Sequence, residues 1–268
     1  MTNKATTIFK KGSKTYYFSS IFFPPDIRDK VTNLYAYVRT IDDFVDTVPV
    51  DMHSFFQYKE QTVNGMTNNE IIDAFLKLAK DNNFQKDWYI SFLHSMELDI
   101  HKTTYESYKE LEEYIYGSAN VIGYMMAAIM DLPKESFEYA GLQGKAMQLI
   151  NFIRDIKEDI DLGRTYIPQE DLRKFKLQTI QPTNEQENEK FILLIRYEIE
   201  RYFSIQKEAE KGYKYIPKKY LIPIQTAAQM YYWTAKEIYK NPLIVFEKKL
   251  KPSKLRIFAT IIKHSLTI

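Results

Sequence analysis

The stretch YAYVRTIDDFVDT, residues 35–47, decides how the rest of the chain is read. Its apolar residues recur at helical spacing, yet Asp42, Asp43 and Asp46 crowd into one short segment. Wound at about 100° per residue, Tyr35, Arg39, Asp42 and Asp46 share a stripe about 60° wide, with Asp43 on its flank. Carboxylates packed this closely repel one another unless something neutralises them. A pair of Asp one turn apart is usually a solvated face. Here the stripe also holds Tyr and Arg, and Ile41, Phe44 and Val45 border it, so a purely solvent-facing role is the weaker reading.

A matching stripe lies in MQLINFIRDIKEDIDLGRTYIP, residues 147–168. Gln148, Asn151, Asp155 and Asp159 fall within about 80° of arc on a helix. They form an oxygen-bearing row with no accompanying row of Lys, beside an apolar face of Leu149, Ile150, Phe152, Ile153 and Ile156. Two such stripes facing one another make an all-oxygen cage of the kind that suits Mg²⁺, whose usual ligands are carboxylate, water and substrate phosphate. Zinc is disfavoured, because the chain has no Cys and its four His show no ligand spacing.

The surroundings of these stripes are helical. Eight Gly in 268 residues and the absence of alternating β-branched runs favour long helices with short connections, and 45% hydrophobic residues suffice for a sizeable core. The pair Pro24-Pro25, followed by Asp26, marks the start of a helix that runs to about Asp46. Further helical patterns cover about 54–65, 69–81, 85–101, 107–131, 134–161, 187–214, 220–240 and 253–265. Residues 162–186, with Gly163, Pro168 and Pro182, read as a long loop with at most one short helical turn. With no repeat and no break in composition, residues 1–268 are expected to form a single all-α domain.

A net charge of +2 gives no indication of nucleic-acid binding. The N-terminus lacks the pattern of a secretory signal, and no apolar run approaches the ~20 residues of a membrane-spanning helix. A cytoplasmic protein is therefore expected. The last segment, FEKKLKPSKLRIFATIIKHSLTI, is basic and then apolar. It suits peripheral contact with an anionic membrane, and equally a last core helix with a solvated basic end.

Two further segments bear on chemistry. In KKGSKTYY, residues 10–17, Ser13 and Thr15 can bond phosphate oxygens or close a local turn, while Lys10 and Lys11 read as solvated. In YIYGSANVIGYMMAAIM, residues 114–130, the small residues Gly117, Ser118, Ala119, Gly123, Ala127 and Ala128 suit close helix packing. Beside a metal–phosphate site the same small face can line a slot for a long hydrocarbon.

Taken together, these segments resemble the head-to-head prenyl synthases, the squalene and phytoene synthase family, from about Ser13 to Leu255. The likeness rests on the order of YAYVRTIDDFVD, YIYGSANVIG and NFIRDIKEDIDLGRTYIPQEDL. It implies an isoprenoid-synthase-type helical bundle around a central cavity. By position it implies Asp42, Asp46, Asp155 and Asp159 as ligands of two or three Mg²⁺ ions, with Asp43 in support. Ser13, Thr15, Arg39, Gln148 and Asn151 match substrate-contacting positions, and Ser118 and Ile122 match the hydrocarbon slot. Tyr35, Tyr114 and Tyr231 match aromatic positions near the reacting carbons, where a ring face steadies a carbocation. Basic residues near the C-terminus, Lys248 or Lys254, are expected to serve the diphosphate. Departures from the family pattern fall at Asn120 and Tyr232, away from the expected ligands.

The implied reaction ionises one prenyl diphosphate, couples it to a second through a cyclopropylcarbinyl diphosphate, and rearranges that intermediate. Small Ser20 and Thr32, expected at the deep end of the pocket, favour the C20 substrate geranylgeranyl diphosphate and phytoene as product. No NADPH is then expected. The C15 alternative, farnesyl diphosphate, would give dehydrosqualene, or squalene with NADPH. A head-to-tail elongase or a terpene cyclase fits less well, because the second motif here is D-x-x-x-D with Gln148 and Asn151 upstream. A prenyl diphosphatase and a non-catalytic helical scaffold remain as further alternatives.

Overall fold

The structure is a computed structural model and describes residues 3–65 and 68–267. Among these residues the regular structure is helical throughout, with no strand. Two short helices, α1 (Asn3–Gly12) and α2 (Lys14–Ser20), precede the long α3 (Pro25–Val45). Then come α4 (Met52–Asn64), α5 (Glu70–Asp81), α6 (Lys86–His101), α7 (Tyr108–Ile115) and α8 (Val121–Ile129). The second half holds α9 (Phe137–Arg154), α10 (Ile156–Asp161), α11 (Gln169–Lys174), α12 (Glu185–Glu210), α13 (Lys218–Lys240), α14 (Ile244–Glu247) and α15 (Lys254–Thr267).

Local chemistry sets many of the boundaries. Pro25 occupies the first turn of α3, where its missing N–H costs nothing. Side chains cap several helix starts: Asp51 accepts from the Ser54 N–H at 3.1 Å, Asn69 from Ile71 at 3.0 Å, and Asn184 from Glu187 at 3.0 Å. Apolar stripes then bring the helices together. One cluster gathers α3, α5, α6 and α8, where Tyr37 lies face-on to Phe75 at 3.6 Å. A second gathers α9, α12 and α13 around Ile150, Phe191, Ile195 and Tyr202. Helix α9 packs against α8, α12 and α13 and so touches both.

Four expectations need correction. First, α1 and α2 lie where no helix is expected. They are too short to show periodicity, and depend on the Ser13 cap and on Phe9 stacking with Tyr35 at 4.2 Å. Second, the helix expected over 107–131 is broken by a π turn at Tyr116–Asn120, where the Ser95 hydroxyl donates to the Tyr114 carbonyl at 2.9 Å. Third, the helix expected over 134–161 opens with a 3₁₀ turn at Lys134–Ser136 and steps at Asp155 between α9 and α10. Fourth, the pattern at 187–214 is realised as α12 followed by a 3₁₀ turn at Lys211–Tyr215. The long loop does contain one short helix, α11. The Thr165 and Gln169 N–H groups donate to the Thr103 and Tyr105 carbonyls at 2.8 and 2.9 Å and pin the loop to the body.

Candidate active site

One cavity of about 620 Å³ opens between these helices. Its rim holds Arg39, Asp42 and Asp46 from α3 and Gln148, Asn151, Asp155 and Asp159 from α9 and α10. The step at Asp155 does not spoil the row, because the Asp155 and Asp159 N–H groups still donate to the Asn151 and Asp155 carbonyls, each at 2.9 Å. The interior is apolar, lined by Phe23, Leu34, Phe92, Met96, Met126 and Met130 among others. Two carboxylate stripes read separately from the sequence thus meet at one mouth above an apolar chamber.

Each rim carboxylate has a cationic partner. Arg39 donates to Asp42 at 2.6 Å and pairs with Asp43 at 2.5 Å. Arg154 grips Asp155 with two bonds of 2.7 and 2.6 Å, and Lys249 lies 3.2 Å from the same side chain. Arg164 donates to Asp46 and lies 3.8 Å from Asp159, so it ties α3 to α10. Its backbone makes this reach possible. Gly163 has φ +75°, its N–H donates to the Ile160 carbonyl at 2.9 Å, and the Arg164 N–H donates to the Asp159 backbone carbonyl at 2.9 Å. This doubled turn closes α10 and sends Arg164 back over the site.

The cations do not fully compensate the acids. Burial, followed by the Asp46 charge, pushes the Asp42 carboxyl up to about 7 against the pull of Arg39. Burial likewise pushes Asp159 up to about 8 despite Arg164, and Asp99 up to about 6. Burial, which penalises the charged form, is the main cause of these shifts, and a cation bound among the carboxylates would favour that charged form. Among the described residues no three acids or imidazoles converge to hold a metal as they stand. The donor set is nevertheless all oxygen, and the buried Asn151 Oδ1 has no hydrogen-bond partner. These residues fit a hard divalent cation, which would exchange places with the arginine contacts.

Aromatic side chains line the space below the rim. Tyr35, Tyr114 and Tyr231 all face the cavity. Tyr16 stacks on Tyr231 at 5.8 Å and meets Tyr35 edge-on at 6.4 Å. Tyr114 donates to Asp99 Oδ2 and Tyr166 to Asp99 Oδ1, both at 2.7 Å. Ser118 and Ile122 also line the cavity, and the Ser118 hydroxyl has no partner. Ser13 and Thr15 reach the rim, although Ser13 also accepts the Tyr16 N–H at 3.2 Å as the cap of α2.

Other expectations are placed differently. Lys248 is exposed and off the cavity, whereas Lys249 and Lys251 line it. The backbone leaves α14 extended, with φ −160° and ψ 147° at Lys248, and in extended chain alternate side chains face opposite ways. Lys254 sits off the rim, 5.0 Å over the Phe18 ring. Lys11, read as solvated, stands at the rim. Ser20 lines the cavity, but Thr32 is buried outside it and donates to the Arg28 carbonyl at 2.8 Å. Tyr232 packs on Phe203 at 5.2 Å, away from the site. Sequence reasoning gave no role to Asp99, Arg154 or Arg164. The signal for Asp99 is an acid flanked by Leu98 and Ile100, and for Arg154 its adjacency to Asp155.

Residues 9–256 match the squalene/phytoene synthase family. The chain belongs to that family. Among its curated relatives, 15-cis-phytoene synthase of Synechocystis sp. is 24% identical over 256 residues, covering 88% of this chain and 76% of that one. Phytoene synthase 2 of Solanum lycopersicum is 26% identical over 263 residues, covering 91% and 84%. The chloroplastic phytoene synthase of an Oncidium hybrid cultivar is 25% identical over 266 residues, covering 93% of this chain and 64% of that longer one. Among solved structures, a dehydrosqualene synthase in complex with a ligand superposes with a TM-score of 0.86 at 24% identity, covering 98% and 94% of the two chains. The squalene synthase HpnC of Alicyclobacillus acidocaldarius gives 0.76 at 20% identity, covering 88% and 92%. These structures establish the all-α isoprenoid synthase fold, and family membership makes the chain a prenyltransferase that joins prenyl diphosphates head to head.

Proposed function

We propose that this chain condenses two geranylgeranyl diphosphates to phytoene in a Mg²⁺-dependent reaction without NADPH. The carrying observation is the single cavity that joins a rim of Asp42, Asp46, Asp155 and Asp159 to a deep apolar interior. Relatives named phytoene synthase and the small Ser20 at the cavity wall support the C20 substrate.

Asp42 and Asp46 on one side, and Asp155 and Asp159 on the other, would hold the metal, with the Asn151 carbonyl beside them. Bound there, Mg²⁺ supplies positive charge that stabilises the departing diphosphate. The chain does the rest. Arg39, Lys249 and Lys251 offer cations to the diphosphate at the rim, and Ser13 and Thr15 offer hydroxyls. The allylic C–O bond breaks and the diphosphate leaves with the electron pair. The double bond of the second prenyl chain then attacks the cation, and loss of a proton closes the cyclopropane ring. After the second C–O bond breaks, the skeleton rearranges, and loss of another proton gives the conjugated triene. Tyr35, Tyr16 and Tyr231 present a contiguous aromatic wall that can steady these cations. The apolar interior excludes water, which would otherwise capture the cation as an alcohol.

The test is diphosphate release and lipid analysis across a Mg²⁺ titration, with the C15 and C20 substrates offered in equal amounts. The reading expects metal-dependent release and a C40 product. A predominant C30 product would move the assignment to dehydrosqualene or squalene formation. Prenyl alcohol as the only lipid product would indicate a diphosphatase.

A further inference from the structure

Helix α15 carries two apolar stripes. Ile257 and Ile261 turn inward against Met230 and are 0% and 2% exposed. Leu255, Phe258 and Ile262, spaced by three and four residues, form a second stripe about 100° around the same helix. They are 80%, 40% and 62% exposed. The outer stripe continues onto α2, which packs against α15. There Phe18 lies 5.9 Å from Phe258, and one turn beyond it Ile21 and Phe22 are exposed as well. Single exposed apolar side chains are ordinary, but here five of the eleven large ones exposed among the described residues lie on α15 or in the two residues that follow α2.

The charge along α15 and the segment leading into it has one sign. From Lys248 to the end of the chain there are six Lys and Arg and no Asp or Glu. Lys249 is engaged at the active site. Of the others, Lys254 lies over the Phe18 ring at 5.0 Å, beside the apolar stripe, and Arg256, next in the chain to Leu255, lies over the Trp233 ring at 4.5 Å. Apolar side chains at the centre with long cationic side chains at the flank match the boundary between acyl chains and anionic headgroups. A protein partner would have to supply an apolar groove and a surplus of acids together, whereas an anionic bilayer supplies both as a plane.

We propose that α15 and the end of α2 form a docking face for an anionic lipid bilayer. Its position connects to the cavity. Ser19 and Ser20 of α2, with Phe23 just beyond, line the cavity, so α2 is the wall between the apolar chamber and the exposed face. If the proposed reaction is correct, docking sets the end that holds a water-insoluble product against the phase that receives it.

The test is flotation of the purified full-length chain, without substrate, on vesicles of phosphatidylcholine alone or with about 30% phosphatidylglycerol. The expected result is binding at least about ten-fold stronger to the anionic vesicles, weakened by high salt. The double variant Leu255→Glu with Ile262→Glu should lose that binding by a similar factor, yet keep its helical circular dichroism and its turnover in detergent micelles. No preference for anionic vesicles, or equal binding by the variant, overturns the proposal. So does a dimer of the unmodified chain that the double variant dissociates, since the face would then belong to a second copy. Because flotation needs no turnover, its failure is distinguishable from failure of the proposed reaction.

Discussion

Asp99 accepts hydrogen bonds from the hydroxyls of both Tyr114 and Tyr166, so it fixes two rings of the cavity wall from behind. As a positioning residue it should matter more to turnover than to substrate capture. Asp99→Asn is expected to lower kcat by about 10- to 100-fold with little change in KM, the range found when a supporting hydrogen bond to a site residue is lost. Steady-state kinetics checks this, and an equal rise in KM would argue against positioning. The principal carboxylates were legible in the sequence because helical spacing alone puts Asp42 with Asp46 and Asp155 with Asp159. Asp99 and Arg164 were not, since their contacts join segments far apart in the chain: α6 to Tyr166 for one, the turn after α10 to Asp46 at the end of α3 for the other. Lys248 illustrates the finest grain. One residue of register in an extended segment decides which lysine faces the rim, and a chain without periodicity offers no such register to read.

At the scale of elements, the turn after α10 carries the most function per residue. Gly163 sits at φ +75°, where a Cβ is strained even though nothing stands within 4 Å of it. Gly163→Ala is expected to cost about 1 kcal/mol, a fall in melting temperature of roughly 2–4 °C. It should also displace Arg164 and reduce turnover. A variant with unchanged melting temperature and full activity would show that the turn is not needed to aim the arginine. The helices most visible in the sequence, α3 through α5, have amphipathic patterns that begin at Pro, Asp or Asn boundary signals. The breaks in the middle helices were hidden for a physical reason. The π turn follows from a hydroxyl on another helix, Ser95, reaching the Tyr114 carbonyl, and nothing within residues 107–131 announces that partner. Ser95→Ala should ease this turn toward regular helix, move Ser118 within the cavity, and change the ratio of C30 to C40 product when both substrates compete.

For the molecule as a whole, stability should carry a pH signature from a cluster remote from the active site. Glu198 is buried beside Arg201 and Asp171, and burial pushes its carboxyl up to about 8 against the pull of Arg201. The folded chain therefore holds this proton more tightly than the unfolded one, where Glu titrates near 4.3. The stabilisation is full below about pH 4 and is lost as pH rises through about 8. Glu198→Gln should flatten the fall in melting temperature between about pH 5 and pH 8, and an unchanged slope would refute the assignment. Substrate length is also a property of the whole cavity, because Ser20 on α2 faces the same space as Met126 on α8. Ser20→Phe should shorten that space and shift preference at least several-fold toward the C15 substrate, as read by competition.

The most direct measurement is the mass of the lipid formed when purified protein meets geranylgeranyl diphosphate and Mg²⁺ with no NADPH present. A C40 triene, absent when the metal is chelated and strongly reduced in Asp42→Asn, is the predicted result. Turnover of the C20 substrate to its prenyl alcohol alone, or no turnover of it in protein that condenses the C15 substrate, would contradict the account.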